Sequence, residues 1–194
     1  MAYNKYDQIV QAASVNYGVS VPLIKAVIMT ESSFNPNAYR AEPAIKDGSY
    51  GLMQILFRTA VGLGFPNDPQ RANELFDPQV NINFGTKLLS QLQGRYSDVD
   101  EIYAAYNAGV ARKNASGEFI NSKGDTNVQA RVDRFLGIYS SFLTEWEEAG
   151  AAITQSEAEV TGGGSPTSGE ADPATLTTLV LVALAGYLAW KYFT

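Results

Sequence analysis

A mainly α-helical domain over residues 1–150, a linker over residues 151–173 and a separate apolar helix over residues 174–194 form the architecture that the sequence predicts. Three observations support it. Apolar residues recur at helical spacing in successive segments, each closed by glycine, proline or asparagine. The stretch Thr161-Gly162-Gly163-Gly164-Ser165-Pro166-Thr167-Ser168-Gly169 is of low complexity. Beyond it, Asp172 and Lys191 bracket 18 uncharged residues rich in Leu, Val and Ala.

Tyr6, Ile9, Val10, Ala13 and Tyr17 define the first helix, which Gly18 ends. Ser20 is placed as the N-cap of the next helix, with Pro22 just inside it and Leu23, Ile24, Val27 and Ile28 on its apolar face. Glu31 follows Val27 by four residues and Ile28 by three, so it falls on that same face. Asn35-Pro36 is expected to close the helix, and residues 37–50 read as a polar loop. A short helix near Phe57–Val61 leads into a Gly/Pro-rich connection at residues 62–66. Pro78 opens a longer helix with Val80, Phe84, Leu88 and Leu92 four apart. Asp98 or Asp100 caps a short helix that holds Ile102, Ala105 and Tyr106 and stops at Gly109, and residues 110–126 read as a surface loop or small hairpin. Val128, Val132, Phe135, Tyr139, Phe142 and Trp146 mark a final amphipathic helix.

Composition excludes several chemistries. The chain has neither cysteine nor histidine. Disulfides, thiolate nucleophiles, a Ser-His-Asp triad and His-ligated zinc are therefore absent, and acid–base work must fall to carboxylates, tyrosines or lysines. The net charge of −6 is unevenly spread: residues 1–144 carry 13 acids and 13 bases, and the acidic excess lies in the tail. A neutral domain gives no basic surface for nucleic acid, so none is expected as a partner. No basic-apolar leader opens the sequence, and a cleaved signal peptide is not expected. The 18 uncharged residues would span about 27 Å as a helix, close to a bilayer core. With Trp190 and Tyr192 as interfacial aromatics and Lys191 able to snorkel, they are expected to anchor the chain in a lipid bilayer. Docking of this tail into a protein groove is the alternative.

Three segments carry the chemistry: Glu31-Ser32-Ser33-Phe34-Asn35-Pro36, Gly51-Leu52-Met53-Gln54-Ile55 and Ala105-Tyr106-Asn107-Ala108-Gly109. In this order, with helices between them, they resemble the soluble lytic transglycosylase domain, and the resemblance runs from about Tyr6 to Trp146. It implies a lysozyme-like fold of the goose-type lysozyme and transglycosylase kind, with peptidoglycan glycan strands as substrate. It implies neither a metal nor a cofactor. Glu31 would be the catalytic acid, kept neutral by its apolar surroundings. It would protonate the glycosidic oxygen and then, as base, take the proton of the muramic acid C6 hydroxyl, leaving a 1,6-anhydro end without consuming water. Glu42 and Asp47 are the candidates for a second carboxylate and are expected instead to be solvated loop charges. Ser32, Gly51, Met53, Gln54, Tyr106 and Asn107 are expected to line the sugar cleft: Gln54 through its amide, Met53 through soft apolar surface, Gly51 through close backbone approach. Tyr106 is expected to point its hydroxyl at Glu31. Asn81, Ile82 and Gly85 match a further family segment expected to serve packing only.

Two departures stand out. Where family members often carry serine nine residues after the glutamate, this chain has Arg40, and the stretch from Glu31 to Gly51 is longer than usual. Arg40 is a candidate to meet the peptide stem or a carboxylate of the glycan. The tail adds a setting: the chain is similar to virion-associated transglycosylases of bacteriophages whose capsids enclose a membrane, acting in the host periplasm or wall, with other virion membrane proteins as possible partners. A conjugation or secretion factor, a goose-type lysozyme that uses water, and an inactive peptidoglycan-binding module are the competing readings.

Overall fold

The computed structural model describes residues 5–162, with side chains described as far as residue 152. The expected apolar helix at 174–194 and the linker residues 163–173 lie outside the described residues. Among the described residues no helix is long and apolar enough to cross a membrane.

Helix α1 (Asp7–Tyr17) ends as expected at Gly18, whose φ of 67° lets its N–H reach the Ser14 carbonyl at 2.9 Å. Helix α2 (Val21–Ser32) starts after Ser20 with Pro22 in its first turn, where a missing N–H costs nothing. Residues 21–28 are all buried, because α2 runs through the centre of the domain rather than along its surface. It closes earlier than Asn35-Pro36 suggests. Ser33 and Phe34 both take the left-handed conformation (φ 51° and 62°), and the Ser33 N–H bonds back to the Met29 carbonyl at 3.1 Å.

Residues 37–50 are not a loop. Strands β1 (Tyr39–Glu42) and β2 (Asp47–Tyr50) form an antiparallel hairpin, and β3 (Ile55–Leu56) adds to β2. The strands are short and polar, so they carry no alternating apolar signal. Cross-strand aromatics hold the hairpin instead: Tyr39 and Tyr50 pack at 5.2 Å between ring centres, and Phe76 meets Tyr50 edge-on at 5.3 Å. Asp47, expected to be solvated, is half-buried, with its side chain only 5% exposed. Its carboxylate accepts from the backbone N–H of Arg58 at 3.2 Å and from its Nε at 3.1 Å, tying the hairpin to helix α3 (Phe57–Gly62). Glu42 is likewise engaged, 2.6 Å from the Arg40 guanidinium.

A 3₁₀ segment at Pro69–Phe76 precedes α4 (Pro78–Gln93), whose N-terminus is capped by Asp77 accepting from the N–H groups of Gln79 and Val80. Asp98 precedes α5 (Val99–Ala108), which Gly109 ends at a φ of 81°. Residues 110–126 contain one bridge, Lys113 to Phe119, consistent with the small hairpin considered above. Helix α6 (Asn127–Gly162) packs along α2 and α5 through Val128, Val132 and Phe135. It continues through Gly162, so residues 151–162, expected as linker, are helical.

The main core gathers Val10, Ile24, Val27, Ile28, Leu52, Met53, Leu89, Tyr103 and Phe135, and a smaller one beside the sheet is built on Ile55, Phe65 and Leu75. Asn81 joins them. Fully buried on α4, it accepts from the Met53 N–H at 2.7 Å and donates to the carbonyls of Tyr50 and Leu75, both at 2.7 Å. A side chain at Gly51 (φ 68°) would meet the Asn81 amide at 2.6 Å, and one at Gly85 would strike Met53. Asn81→Leu removes the side-chain partner of three backbone groups and is expected to lower unfolding free energy by about 3 kcal/mol. Chemical denaturation checks this; a loss below about 0.5 kcal/mol, the range of ordinary surface changes, would show that the segment holds without Asn81.

Candidate active site

Glu31 stands on the last turn of α2, where the carbonyl ends of the helix face an arriving negative charge. Its side chain is 7% exposed. Helix α5 supplies the partner. The Tyr103 hydroxyl donates to Glu31 Oε1 at 2.8 Å, and the Tyr103 ring stacks on Phe135 of α6 at 4.1 Å with the planes 7° apart. That stack fixes the phenol, so the carboxyl is held in one orientation. Glu31 Oε2 lies 3.9 Å from the Arg131 guanidinium, within Coulombic reach but beyond hydrogen-bond distance.

Burial pushes the Glu31 carboxyl above the ordinary carboxylate value; the Tyr103 hydroxyl, the charges of Arg131 and Arg40, and the Asn107 amide oppose the shift without cancelling it. Tyr103 is itself pushed up by burial and by the neighbouring Glu31 charge, so it remains a neutral donor. A cleft of about 310 Å³ opens over this carboxyl, lined by Thr30, Glu31, Arg40, Gln54, Arg131 and Arg134. Among the described residues no other carboxylate lines it.

The structure redistributes the roles expected of the motif residues. Tyr106 does not bond to Glu31: its hydroxyl donates to the Met53 carbonyl at 2.7 Å, and the bond expected of it belongs to Tyr103, one helical turn earlier. Met53 is fully buried against α4, so it offers no surface to a ligand. Gly51 approaches Asn81 rather than the cleft. Ser32 donates to the Leu52 carbonyl at 2.7 Å, joining the end of α2 to the same segment. The Gln54 amide nitrogen donates to the carbonyls of Ala38 and Gly51, both at 3.0 Å; its donors are used, and its carbonyl oxygen is the group left for the cleft. Asn107 faces Glu31. Glu31 and Gln54 therefore line the cleft, with Asn107 close to Glu31, while Ser32, Gly51, Met53 and Tyr106 build the frame behind it.

Tyr103, Arg131 and Arg134 were not singled out from sequence. Tyr103 carried one signal: a phenol on the apolar side of α5, beside Ile102, must find a partner for its hydroxyl. The arginines flank the Val128–Val132–Phe135 stripe and look like ordinary solvated charges until α6 is laid against α2.

Comparison with known proteins identifies the family and the fold. The family model described as the Transglycosylase SLT domain matches residues 8–129. The membrane-bound lytic murein transglycosylase C of Edwardsiella ictaluri is 43% identical over 98 residues, 48% of this chain and 26% of that protein. Its counterpart from Photorhabdus laumondii is 40% identical over the same length. The chain thus spans about a quarter of the length of these curated relatives. The X-ray structure of an inactive mutant of lytic transglycosylase Slt from Pseudomonas aeruginosa superposes with a TM-score of 0.56 at 24% identity, covering 74% of this chain and 24% of that one. That likeness concerns the fold, which is mainly helical and lysozyme-like. With more than half of its length matched by the family model, the chain belongs to the SLT transglycosylase domain family.

Proposed function

We propose that the domain is a lytic murein transglycosylase that cleaves the β-1,4 bond between N-acetylmuramic acid and N-acetylglucosamine and leaves a 1,6-anhydro-muramoyl end. The observation that carries this reading is a single buried carboxyl in the cleft among the described residues. A hydrolase of the usual design needs a second carboxylate to activate water or to trap the sugar. Neither candidate lines the cleft: Asp47 pairs with Arg58, and Glu42 neutralises Arg40 at the cleft's edge. One group must then act twice. Neutral Glu31 gives its proton to the glycosidic oxygen as the C1–O bond breaks. The resulting carboxylate takes the proton of the C6 hydroxyl, whose oxygen closes on C1. Tyr103 on Oε1 and Arg131 near Oε2 suit the first half, because both favour the carboxylate that proton donation leaves behind.

We further propose that residues 174–194 anchor the domain in a lipid bilayer, and that the chain serves local opening of the host wall during phage genome entry from a membrane-containing virion, beside other virion membrane proteins. The apolar run between Asp172 and Lys191 supports the anchor. The relatives above are described as membrane-bound transglycosylases, which is in keeping with it.

Glu31→Gln is expected to lower release of soluble fragments from purified sacculi by at least ~10²-fold, since the amide can neither give nor take the proton. Mass spectrometry of the wild-type digest is expected to show muropeptides one water lighter than lysozyme products. Reducing, hydrated ends alone would assign the domain to hydrolysis. Activity is expected to fall as pH rises through the elevated Glu31 pKa, because the acid step needs the neutral carboxyl. Tyr103→Phe removes a bond that favours the carboxylate, raises that pKa further and should move the alkaline limb to higher pH. An unmoved limb would show that Tyr103 does not tune the acid.

A further inference from the structure

Helix α6 brings two arginines to the cleft on one face, Arg131 and Arg134, three residues apart and therefore adjacent on the helix surface. Arg40 reaches the same cleft from β1, but its charge is matched by Glu42 at 2.6 Å. Among the described residues Arg131 has only Glu31 as a counter-charge, at 3.9 Å, and Arg134 has no ion-pair partner. The acid–base reading sharpens this imbalance. When Glu31 carries the proton it must donate, Arg131 loses its counter-charge as well. The enzyme poised for reaction then presents two uncompensated guanidinium groups beside one neutral carboxyl. A site that bound only the uncharged hydroxyl and acetamido groups of a glycan would have no use for them.

We propose that Arg131 and Arg134 form a carboxylate-binding subsite that receives the acid group borne by the muramic acid next to the scissile bond. This rests on the reading of the domain as a peptidoglycan-cleaving enzyme and adds to it which part of the substrate the charged wall reads. Guanidinium groups bind carboxylates through paired, charge-assisted hydrogen bonds, and two on one helix face give a fixed direction to the ligand. Peptidoglycan offers two sources of that chemistry: the carboxylate of the lactyl ether where the stem has been removed, and the carboxylates of the stem peptide where it is present. A carboxylate arriving on α6 supplies the counter-charge that Glu31 gives up on protonation, so binding of the acidic substrate and loading of the neutral acid support each other.

The test uses the full chain and three substrates: intact sacculi, amidase-stripped strands whose lactyl carboxylates are free, and sacculi whose carboxylates have been converted to neutral amides with carbodiimide and an amine. Arg134 is the residue to change, because it makes no contact with Glu31; the variants are Arg134→Gln and Arg134→Lys. Arg134→Gln is expected to raise KM about tenfold on a carboxylate-bearing substrate with kcat within about twofold, and Arg134→Lys to recover part of the loss. Wild type is expected to suffer a similar rise in KM on amidated sacculi, where the Arg134→Gln penalty should shrink. A KM effect on intact sacculi but not on stripped strands assigns the stem as the source; an effect on stripped strands assigns the lactyl group. Wild-type KM indifferent to amidation, or an Arg134→Gln penalty equal on charged and amidated sacculi, would overturn the subsite while leaving the enzymatic reading intact. Wild type that releases nothing from any of the three substrates would instead overturn the enzymatic reading.

Discussion

A carboxyl group at the C-terminal end of a buried helix is disfavoured as an anion twice, by lost hydration and by the carbonyl ends of the helix. Glu31 occupies such a place, and the cleft is organised around the consequence. Helix α2 is buried over residues 21–28, which anchors the turn that carries Glu31, and the Glu31 side chain is itself only 7% exposed. Tyr103 then makes the position tolerable. One hydrogen bond from a phenol, itself clamped by the Phe135 ring, orients the carboxyl without supplying enough stabilisation to restore an ordinary acidity. A fully compensated carboxylate would be a good structural element and a poor acid.

The second constraint is mechanical. The chain leaves α2 through two left-handed residues, forms a polar hairpin and returns at Gly51 to the core directly behind Glu31. Nothing in that return is held by bulk hydrophobic packing alone. Asn81 ties it from α4, Tyr106 from α5, Ser32 from the end of α2, and Gln54 ties the segment to Ala38 at the start of the hairpin. Helices α4 and α5 therefore converge on one four-residue stretch, and the acid, its partner tyrosine and the cleft floor share one hydrogen-bonded frame.

This explains which parts of the molecule were legible in sequence. Helix positions followed from apolar spacing and from Gly18, Pro22, Pro78 and Gly109, whose backbone preferences are local. Glu31 was legible because its spacing from Val27 and Ile28 put a charge on an apolar face. The hairpin was not, because Tyr39–Glu42 and Asp47–Tyr50 depend on aromatic contacts with Phe76, more than 25 residues away. The division of labour within the motifs was hidden for a similar reason. A glycine, a methionine and a tyrosine near a catalytic glutamate suit a sugar cleft and a packed frame equally well. Only the partners reveal that Met53 meets Gly85, Gly51 meets Asn81, and the bond to Glu31 comes from Tyr103. Arg131 and Arg134 acquire meaning only when α6 is placed beside α2.

The acidity of Glu31 is the point on which these relations meet, and it is directly observable. With ¹³C-labelled glutamate, the Glu31 carboxyl resonance can be assigned by its loss in Glu31→Gln and followed through a pH titration of the protein. The account predicts a midpoint above those of the exposed glutamates in the same spectra, because burial outweighs the Tyr103 bond and the two arginine charges. A Glu31 carboxyl that titrates with the exposed glutamates, or below them, would mean that the arginines and Tyr103 hold it as a carboxylate, and it would contradict its assignment as the neutral proton donor.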